Sequence, residues 1–403
     1  MKITHIHIER FRGFQNEDFE VGSLLTAIAG QNGTQKSTLL GIITQTFTLK
    51  TEDSMRVEKP LCGGSYISAF KDKFRLSPTF DKPKGHEWTI SFDAGMDDFT
   101  VESIKRTGDP NVRFWKKGAR QEGDGYISFP TIFLSLKRLV PVAEEAKIIT
   151  DDTLLTQEEL NEFKQLHNKI LIAQTPISSA TTITSKNKQS IGVSTELYDW
   201  NQNSMGQDNL GKIILALFSF KRLHDKYPRQ YKGGILAIDE MDATMYPASQ
   251  VELLKVLRKY ASKLNLQILF TTHSMSLLKA MDDLVQEVTK KEETANQAKI
   301  LYLKKVDDKI AIKQGVNFKG IQLDLNVVAE GNNRKKNRIT AYTEDKENIL
   351  FVKAILKSKA FVLDFVDVTL PCSTLMELVT KRVPAFIYPY SIVILDGDVR
   401  MNK

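Results

Sequence analysis

Cysteine is nearly absent: Cys62 and Cys372 are the only two in 403 residues. They lie far apart and neither has a His or Cys beside it at zinc-ligand spacing, so the sequence supports neither a disulfide framework nor a zinc site. Both are expected as core thiols. Long apolar runs are missing too. None approaches the roughly 20 residues a bilayer span needs, so no membrane anchor or membrane partner is expected. The start, Met1-Lys2-Ile3-Thr4-His5-Ile6-His7-Ile8, alternates like a strand and lacks the apolar core and cleavage site of a secretion signal; a cytoplasmic location is expected. Nor is there a strong excess of one charge. Lys and Arg number 56 against 49 Asp and Glu, a net +7, which is compatible with a polyanionic partner and too modest to identify one. A single domain is also disfavoured, because domains typically run about 50–250 residues.

What is present begins with two strand candidates, Ile3–Ile8 and Leu24–Ala29, the second running straight into Gly30-Gln31-Asn32-Gly33-Thr34-Gln35-Lys36-Ser37-Thr38 and an apolar helical run. A glycine-rich turn between a strand and a helix aims backbone N–H groups and the positive helix end at phosphates. Lys36 then reaches the β and γ phosphates of ATP, and the Ser37 hydroxyl serves Mg²⁺. Against the usual G-x-x-x-x-G-K-[ST], Gln35 stands where the second glycine belongs, and its side chain is expected to crowd the phosphates or demand a backbone adjustment.

From 58 to 133 the chain reads as short β-prone segments broken by Gly and Pro, an antiparallel β lobe inserted after the first helix. Residues 150–190 read as a helical insertion and connector. Thr156-Gln157-Glu158-Glu159 has capping-box spacing ahead of Leu160, Phe163, Leu166 and Ile170, giving a helix too short for a coiled-coil arm. Ser178–Ser190, rich in Ser, Thr and Lys, reads as a mobile connector.

Three further pieces follow. Ile235–Ile238 is an apolar strand run ending in Asp239-Glu240, where a metal ligand and a water-activating base are needed. Leu266–Phe270 is another, ending in Thr271-Thr272-His273-Ser274. Ligands of open α/β sheets sit at the carboxyl ends of strands, and three strands deliver phosphate chemistry to that edge. Ser204-Met205-Gly206-Gln207 opens a helix whose apolar face is Leu210, Ile213, Ile214, Leu217 and Phe218; it is either a plain N-cap or a second anion-binding turn.

As a set, over about residues 1–280, these segments resemble ABC-type ATPases, in the branch of RecF, the structural-maintenance-of-chromosomes heads and the OLD (overcoming lysogenisation defect) nucleases. The opening Ile8-Glu9-Arg10-Phe11-Arg12-Gly13-Phe14 is similar as well. The resemblance implies an α/β fold with a P-loop ATPase head over 1–330. It also implies that Arg12, Gly30, Asn32, Gly33, Lys36, Ser37 and Thr38 hold nucleotide, that Ser37 and Asp239 support the metal, that Glu240 activates water, and that His273 senses the γ-phosphate. Ser204, Gly206 and Gln207 then act on a partner's ATP across a homodimer or higher oligomer. Met241–Pro247 stands at the D-loop, with the acidic-x-x-Leu-His-Pro pattern partly kept. No Gln loop is assigned.

Residues 331–338, Gly331-Asn332-Asn333-Arg334-Lys335-Lys336-Asn337-Arg338, read as a solvated linker. Over 339–403 a strand at Ile339–Thr343 leads to Glu344, and another at Ser391–Leu395 to Asp396-Gly397-Asp398. Carboxylates at strand ends can converge on a divalent metal, although Asp-Gly-Asp also suits a solvated turn. This unit resembles the first part of a Toprim domain, which implies Glu344, Asp396 and Asp398 as ligands of Mg²⁺ or Mn²⁺. The glycine usual after the first Toprim glutamate is Asp345. About 65 residues are too few for the whole Toprim fold, so a fragment or a remnant is expected. The resemblance implies an ATP-dependent DNA endonuclease of antiphage defence, with DNA and, in some relatives, a reverse transcriptase and retron nucleic acid as partners. The alternative is a non-nucleolytic ATPase switch or scaffold that controls an effector.

Overall fold

The computed structural model describes residues 1–66, 73–93, 95–105, 112–119, 125–139, 148–152, 154–184, 189–330, 339–388 and 391–396. The linker 331–338 and Asp398 lie outside them. The chain divides into two compact units, Met1–Gln322 and Leu323–Lys403.

In the first unit, strands β1 (Ile3–Phe11) and β2 (Phe14–Glu20) form a hairpin. Strand β3 (Leu25–Gly30) is buried at every position and feeds helix α1 (Lys36–Thr44). After the short β4 (Phe47–Thr48) come β5 (Glu87–Phe92), β6 (Phe99–Lys105) and β7 (Val112–Lys116). These three are antiparallel, with the alternating burial of a sheet covered on one face. They follow α1 as an antiparallel set, and that set extends the β1–β2 hairpin. β5 pairs along β1 and completes a five-stranded sheet, β2-β1-β5-β6-β7. The rest of that segment is dispersed: β8 (Ile127–Ser128) pairs with β4, and β9 (Thr131–Leu134) joins another sheet. The inner face of the five-stranded sheet, with Ile6, Ile8, Phe11, Trp88, Ile90 and Phe114, shares one core with Leu39, Leu40, Ile42 and Ile43 of α1.

Strand β10 (Ile149–Asp152) precedes helix α2 (Gln157–Leu171), whose capping box is present: Thr156 Oγ1 accepts from Glu159 N–H and the Glu159 carboxylate from Thr156 N–H. The Ser/Thr-rich segment expected as a connector instead supplies β11 (Ser179–Thr184) and β12 (Gln189–Ser194), antiparallel to each other, with β11 also antiparallel to β10. Threonine is polar yet β-branched, and the buried Ala180, Ile183, Ile191 and Val193 give the hairpin an inner face.

Helix α3 (Met205–Lys226), strand β13 (Gly234–Ile238), helix α4 (Pro247–Lys263), strand β14 (Leu266–Thr272) and helix α5 (Met275–Thr289) follow. Next come β15 (Ala298–Val306) and β16 (Lys309–Gln314), then helix α6 (Phe318–Glu330). The central sheet has the order β16-β15-β3-β14-β13-β9, parallel except for β16. β3, β13 and β14 are buried throughout, as strands covered on both faces require.

The second unit is a three-stranded parallel sheet in the order β18-β17-β19. β17 (Ile339–Thr343) leads to helix α7 (Lys346–Leu356) and β18 (Leu363–Phe365); helix α8 (Cys372–Thr380) precedes β19 (Ser391–Ile394). Cys62 is buried, its thiol pushed up to about 11 by burial. Cys372, at the start of α8, is only half-buried, so it is not the core thiol expected. Among the described residues no helix is long and apolar enough to cross a membrane.

Candidate functional site

The loop between β3 and α1 is shaped by what cannot be there. A Cβ on Gly30 would collide with the Leu303 carbonyl of neighbouring β15, and Gly33 has φ +79, a conformation that favours glycine. Gln35, the N-cap of α1, takes φ +61 without being glycine. Its amide lies against Gly13 of the β1–β2 turn, since a Cβ added to Gly13 would meet Gln35 Nε2 at 3.0 Å, and its Oε1 is buried with no hydrogen-bond partner among the described residues. Lys36 is buried, and its Nζ donates back to the Gly30 and Gln31 carbonyls at 3.0 and 2.9 Å. Burial holds this ammonium below its ordinary value against the opposing charges of Glu240, Asp239 and Asp242.

The ends of β3, β14 and β13, neighbours in the sheet, bring Lys36, Ser37, Asp239, Glu240 and His273 to one edge. Ser37 Oγ donates to Asp239 Oδ1 at 2.8 Å, and Thr271 Oγ1 donates to the same oxygen at 2.7 Å. Thr271 Oγ1 also accepts from Glu240 N–H at 2.6 Å. Glu240 sits at φ +50, in the left-handed region that costs a non-glycine residue roughly 1–3 kcal/mol. Its carbonyl accepts from Arg138 Nη2 at 2.7 Å, so the residue is gripped on both backbone sides. The His273 N–H donates to Asp242 Oδ1 at 3.4 Å. Burial, with Lys36 nearby, lowers the His273 ring below the usual histidine range, leaving it neutral at neutral pH.

Arg12, in the β1–β2 turn, is not loose. Its guanidinium forks onto Asp81 at 3.1 and 3.0 Å, donates to the Arg75 carbonyl at 2.7 Å and lies 3.5 Å from Thr38 Oγ1. Burial works to raise the Asp81 carboxyl, but hydrogen bonds from Arg12, Ser77 N–H and His86 outweigh it and hold it down to about 2. His86 links Asp81 through Nε2 to Ser103 Oγ through Nδ1. Asn32 is exposed on the loop.

Ser204 caps α3 with a complete box: its Oγ accepts from Gln207 N–H and its own N–H donates to Gln207 Oε1. Gly206 must be small, because a Cβ there would meet the Thr244 carbonyl oxygen at 2.5 Å. No hydrogen bond among the described residues joins Ser204, Gly206 or Gln207 to the Lys36–Asp239 cluster. The link runs through residues that motif reading missed, Arg138 and Asn209. Arg138 follows β9, the strand beside β13, and its Nε donates to Asn209 Oδ1 of α3 at 2.7 Å. Neither carries a sequence signal of its own: Arg138 follows Lys137, and Asn209 follows Gln207-Asp208.

In the second unit, β17 and β19 are adjacent and parallel, with Thr343 opposite Ile394. Glu344 and Asp396 therefore leave the same edge of neighbouring strands. Asp345, at the place of the Toprim glycine, caps α7 by accepting from Asn348 N–H at 2.9 Å. Among the described residues no three metal-type side chains gather.

Residues 134–278 match the model of a family described as AAA ATPase domain, a match that supports ATP as the nucleotide. It takes in α3, β13 and β14, whereas the Gly30–Thr38 loop lies before it. No curated protein matches the chain. Among solved structures, the SMC head domain from Thermotoga maritima is 14% identical, with a TM-score of 0.43, over 78% of this chain and 100% of that one. An SMC head bound to the C-winged helix domain of ScpA is 14% identical, with a TM-score of 0.47, over 80% and 100%. An Smc head domain with an extended coiled coil, bound to the C-terminal domain of ScpA derived from Pyrococcus furiosus, is 13% identical, with a TM-score of 0.43, over 81% and 99%.

Proposed function

We propose that the chain is an ATP-hydrolysing switch that closes as a head-to-head dimer and governs a metal-dependent DNA-cleaving unit. The observation that carries this reading is the interlock Ser37–Asp239–Thr271–Glu240 at one sheet edge. A hydroxyl and a carboxylate suit a hard divalent cation, so Ser37 and Asp239 are the residues that would hold Mg²⁺, which supplies charge neutralisation of the phosphates. Lys36 exchanges its two loop carbonyls for β- and γ-phosphate oxygens. Glu240 takes a proton from the attacking water, and ADP and phosphate leave. The neutral His273 ring donates a hydrogen bond to the terminal phosphate. The Gly206 turn of a second protomer offers its helix start to the same nucleotide, an isologous contact that makes two composite sites.

The cleavage part of the reading is supported by Glu344 and Asp396 at the ends of adjacent parallel strands. Two carboxylates leaving one edge of adjacent strands are oxygen ligands of the kind a hard divalent cation takes. Asp398, outside the described residues, is the third acid of this reading.

The test combines ATP turnover, light scattering and plasmid cleavage. Wild type should hydrolyse Mg²⁺-ATP, while Glu240→Gln should bind ATP, stop turning over and accumulate as a dimer. A Glu240→Gln protein that stays monomeric at saturating ATP removes the dimer mechanism. Asp396→Ala should bind ATP normally and fail to cleave plasmid or single-stranded DNA in Mg²⁺. Cleavage that survives Asp396→Ala, or that survives EDTA, removes the metal site. No cleavage by any version favours the switch that controls a separate effector.

A further inference from the structure

Among the described residues of the first unit Arg138 is the most deeply buried lysine or arginine, with 2% of its surface exposed. Among the described residues it forms no ion pair, and every hydrogen bond it makes is to a neutral acceptor. Nη1 donates to the Leu134 and Ser135 carbonyls at 3.2 and 3.1 Å, Nη2 to the Glu240 carbonyl and Nε to Asn209 Oδ1, both at 2.7 Å. Asn209 is itself fully buried, and its Nδ2 donates onward to the Ala243 carbonyl at 3.0 Å. Burial lowers the guanidinium to about 10, against the charges of Asp239, Glu240 and Asp242, so it stays charged at neutral pH. A cation kept out of water is costly, and here its hydrogen bonds and the nearby Asp239, Glu240 and Asp242 charges offset that cost while the guanidinium fixes the carbonyls it bonds.

The carbonyls it reaches belong to three separate pieces: the end of β9, the strained Glu240, and, through Asn209, the Ala243 turn. Asn209 stands five residues into the chain from Ser204, within the second turn of α3. One rigid planar fork thus joins the helix whose start faces a second protomer to the residue that acts on this protomer's own ATP. Lysine, with a single rotatable point charge, cannot span the same three directions.

We propose that Arg138 and Asn209 are positioning residues that couple the two composite ATP sites of the dimer. Engagement of the partner's nucleotide at the start of α3 is transmitted through Asn209 and Arg138 to the backbone of Glu240, setting its carboxylate for water activation. The inference rests on the ATPase reading above. It adds that hydrolysis in one site depends on occupancy of the other through this bracket.

The test uses the full chain with Arg138→Met, Arg138→Lys and Asn209→Asp, wild type and Glu240→Gln serving as references. Asn209→Asp is the informative variant: it keeps an oxygen for Arg138 Nε and removes the donor to Ala243. All three should retain ATP affinity within about twofold, and should dimerise on ATP when combined with Glu240→Gln. kcat should fall on the order of 100-fold, the loss expected when a reacting group is misplaced by about 1 Å, while KM stays near that of wild type. Cooperativity in ATP should fall to a Hill coefficient of 1, with Arg138→Lys recovering part of kcat. Variants with unchanged kcat and cooperativity overturn the coupling role. So do variants that lose ATP binding and melting temperature together, which makes the bracket merely structural. A wild type that binds ATP without hydrolysing it removes the ATPase reading instead, and the coupling with it.

Discussion

Two strand edges in this molecule present carboxylates in the same topological way, and they differ in how those acids are held. In the first unit, β13 and β14 are buried along their whole length and Asp239 is 5% exposed. Its Oδ1 accepts from two hydroxyls, and its neighbour Glu240 is gripped at both N–H and C=O. In the second unit, β19 is buried only at Ser391, Asp396 is exposed, and Glu344 Oε1 accepts from Cys372 N–H at a long 3.4 Å. The first edge is fixed by short hydrogen bonds from several elements; the second is more exposed and more loosely held. Chemistry that needs a group fixed to a fraction of an ångström belongs at the first.

The largest effect on this contrast should come from Asp81, which holds Arg12 of the β1–β2 turn. Asp81→Ala strands Arg12 and His86 and should lower the first unit's stability by about 3 kcal/mol, as breaking a buried pair does. Urea unfolding followed by tryptophan fluorescence checks it, since all three tryptophans lie in the first unit, and β17 and β19 should keep their amide protection. A transition unchanged within error makes Asp81 a bystander.

Acid should give a somewhat smaller loss by the same route. The folded carboxyl is held at about 2, below its unfolded value near 4, so its contribution is complete above pH 4 and is lost as the pH falls toward 2. The amount is roughly 2 kcal/mol. A urea midpoint series between pH 5 and 2 reads it, and Asp81→Asn should flatten that part of the slope.

Lys36→Ala should weaken ATP binding by about 30-fold, the worth of charge-assisted hydrogen bonds to phosphate. Calorimetry showing undiminished affinity would place the phosphates elsewhere. The smallest change expected is a gain. Gln35→Gly removes a left-handed non-glycine residue and a buried amide oxygen without a partner among the described residues, and should stabilise the first unit by up to about 1 kcal/mol. Thermal melting that drops instead shows the Gln35–Gly13 contact to be supportive.

Legibility in the sequence followed the range of the interactions. The Gly30–Thr38 loop, the Asp239-Glu240 strand end and the Thr156–Glu159 capping box are local, so residue type and spacing reveal them. Arg138 and Asn209 escaped because they bond largely to main-chain carbonyls, and a carbonyl leaves no trace in residue identity. The partner of Arg138 at Glu240 is 102 residues away. The pairing of β5 with β1 was hidden for a related reason: alternation tells which face of a strand is buried and nothing about which strand lies beside it. Thr181 and Thr182 looked like a connector because polarity was weighed above β-branching. Asp345 looked like a departure from a motif, and its helix-capping bond gives it a local task.

The place of β3 in the sheet has a consequence for how the chain is made. Gly30 pairs with Leu303 of β15, and β3's other neighbour, β14, begins at Leu266. At the usual synthesis rate of about 5–20 residues per second, roughly a quarter of a minute to a minute passes between the appearance of Gly30 and that of Leu303. Until Leu266–Thr272 has been made, the apolar Leu25–Gly30 strand has neither of its sheet neighbours, and until β15 follows it has only one. The newborn protein must shield this strand, by its own hairpin or by a chaperone, until the final third of the ATPase unit emerges. A slow stretch of translation after residue 303 would help the loop close before the second unit follows.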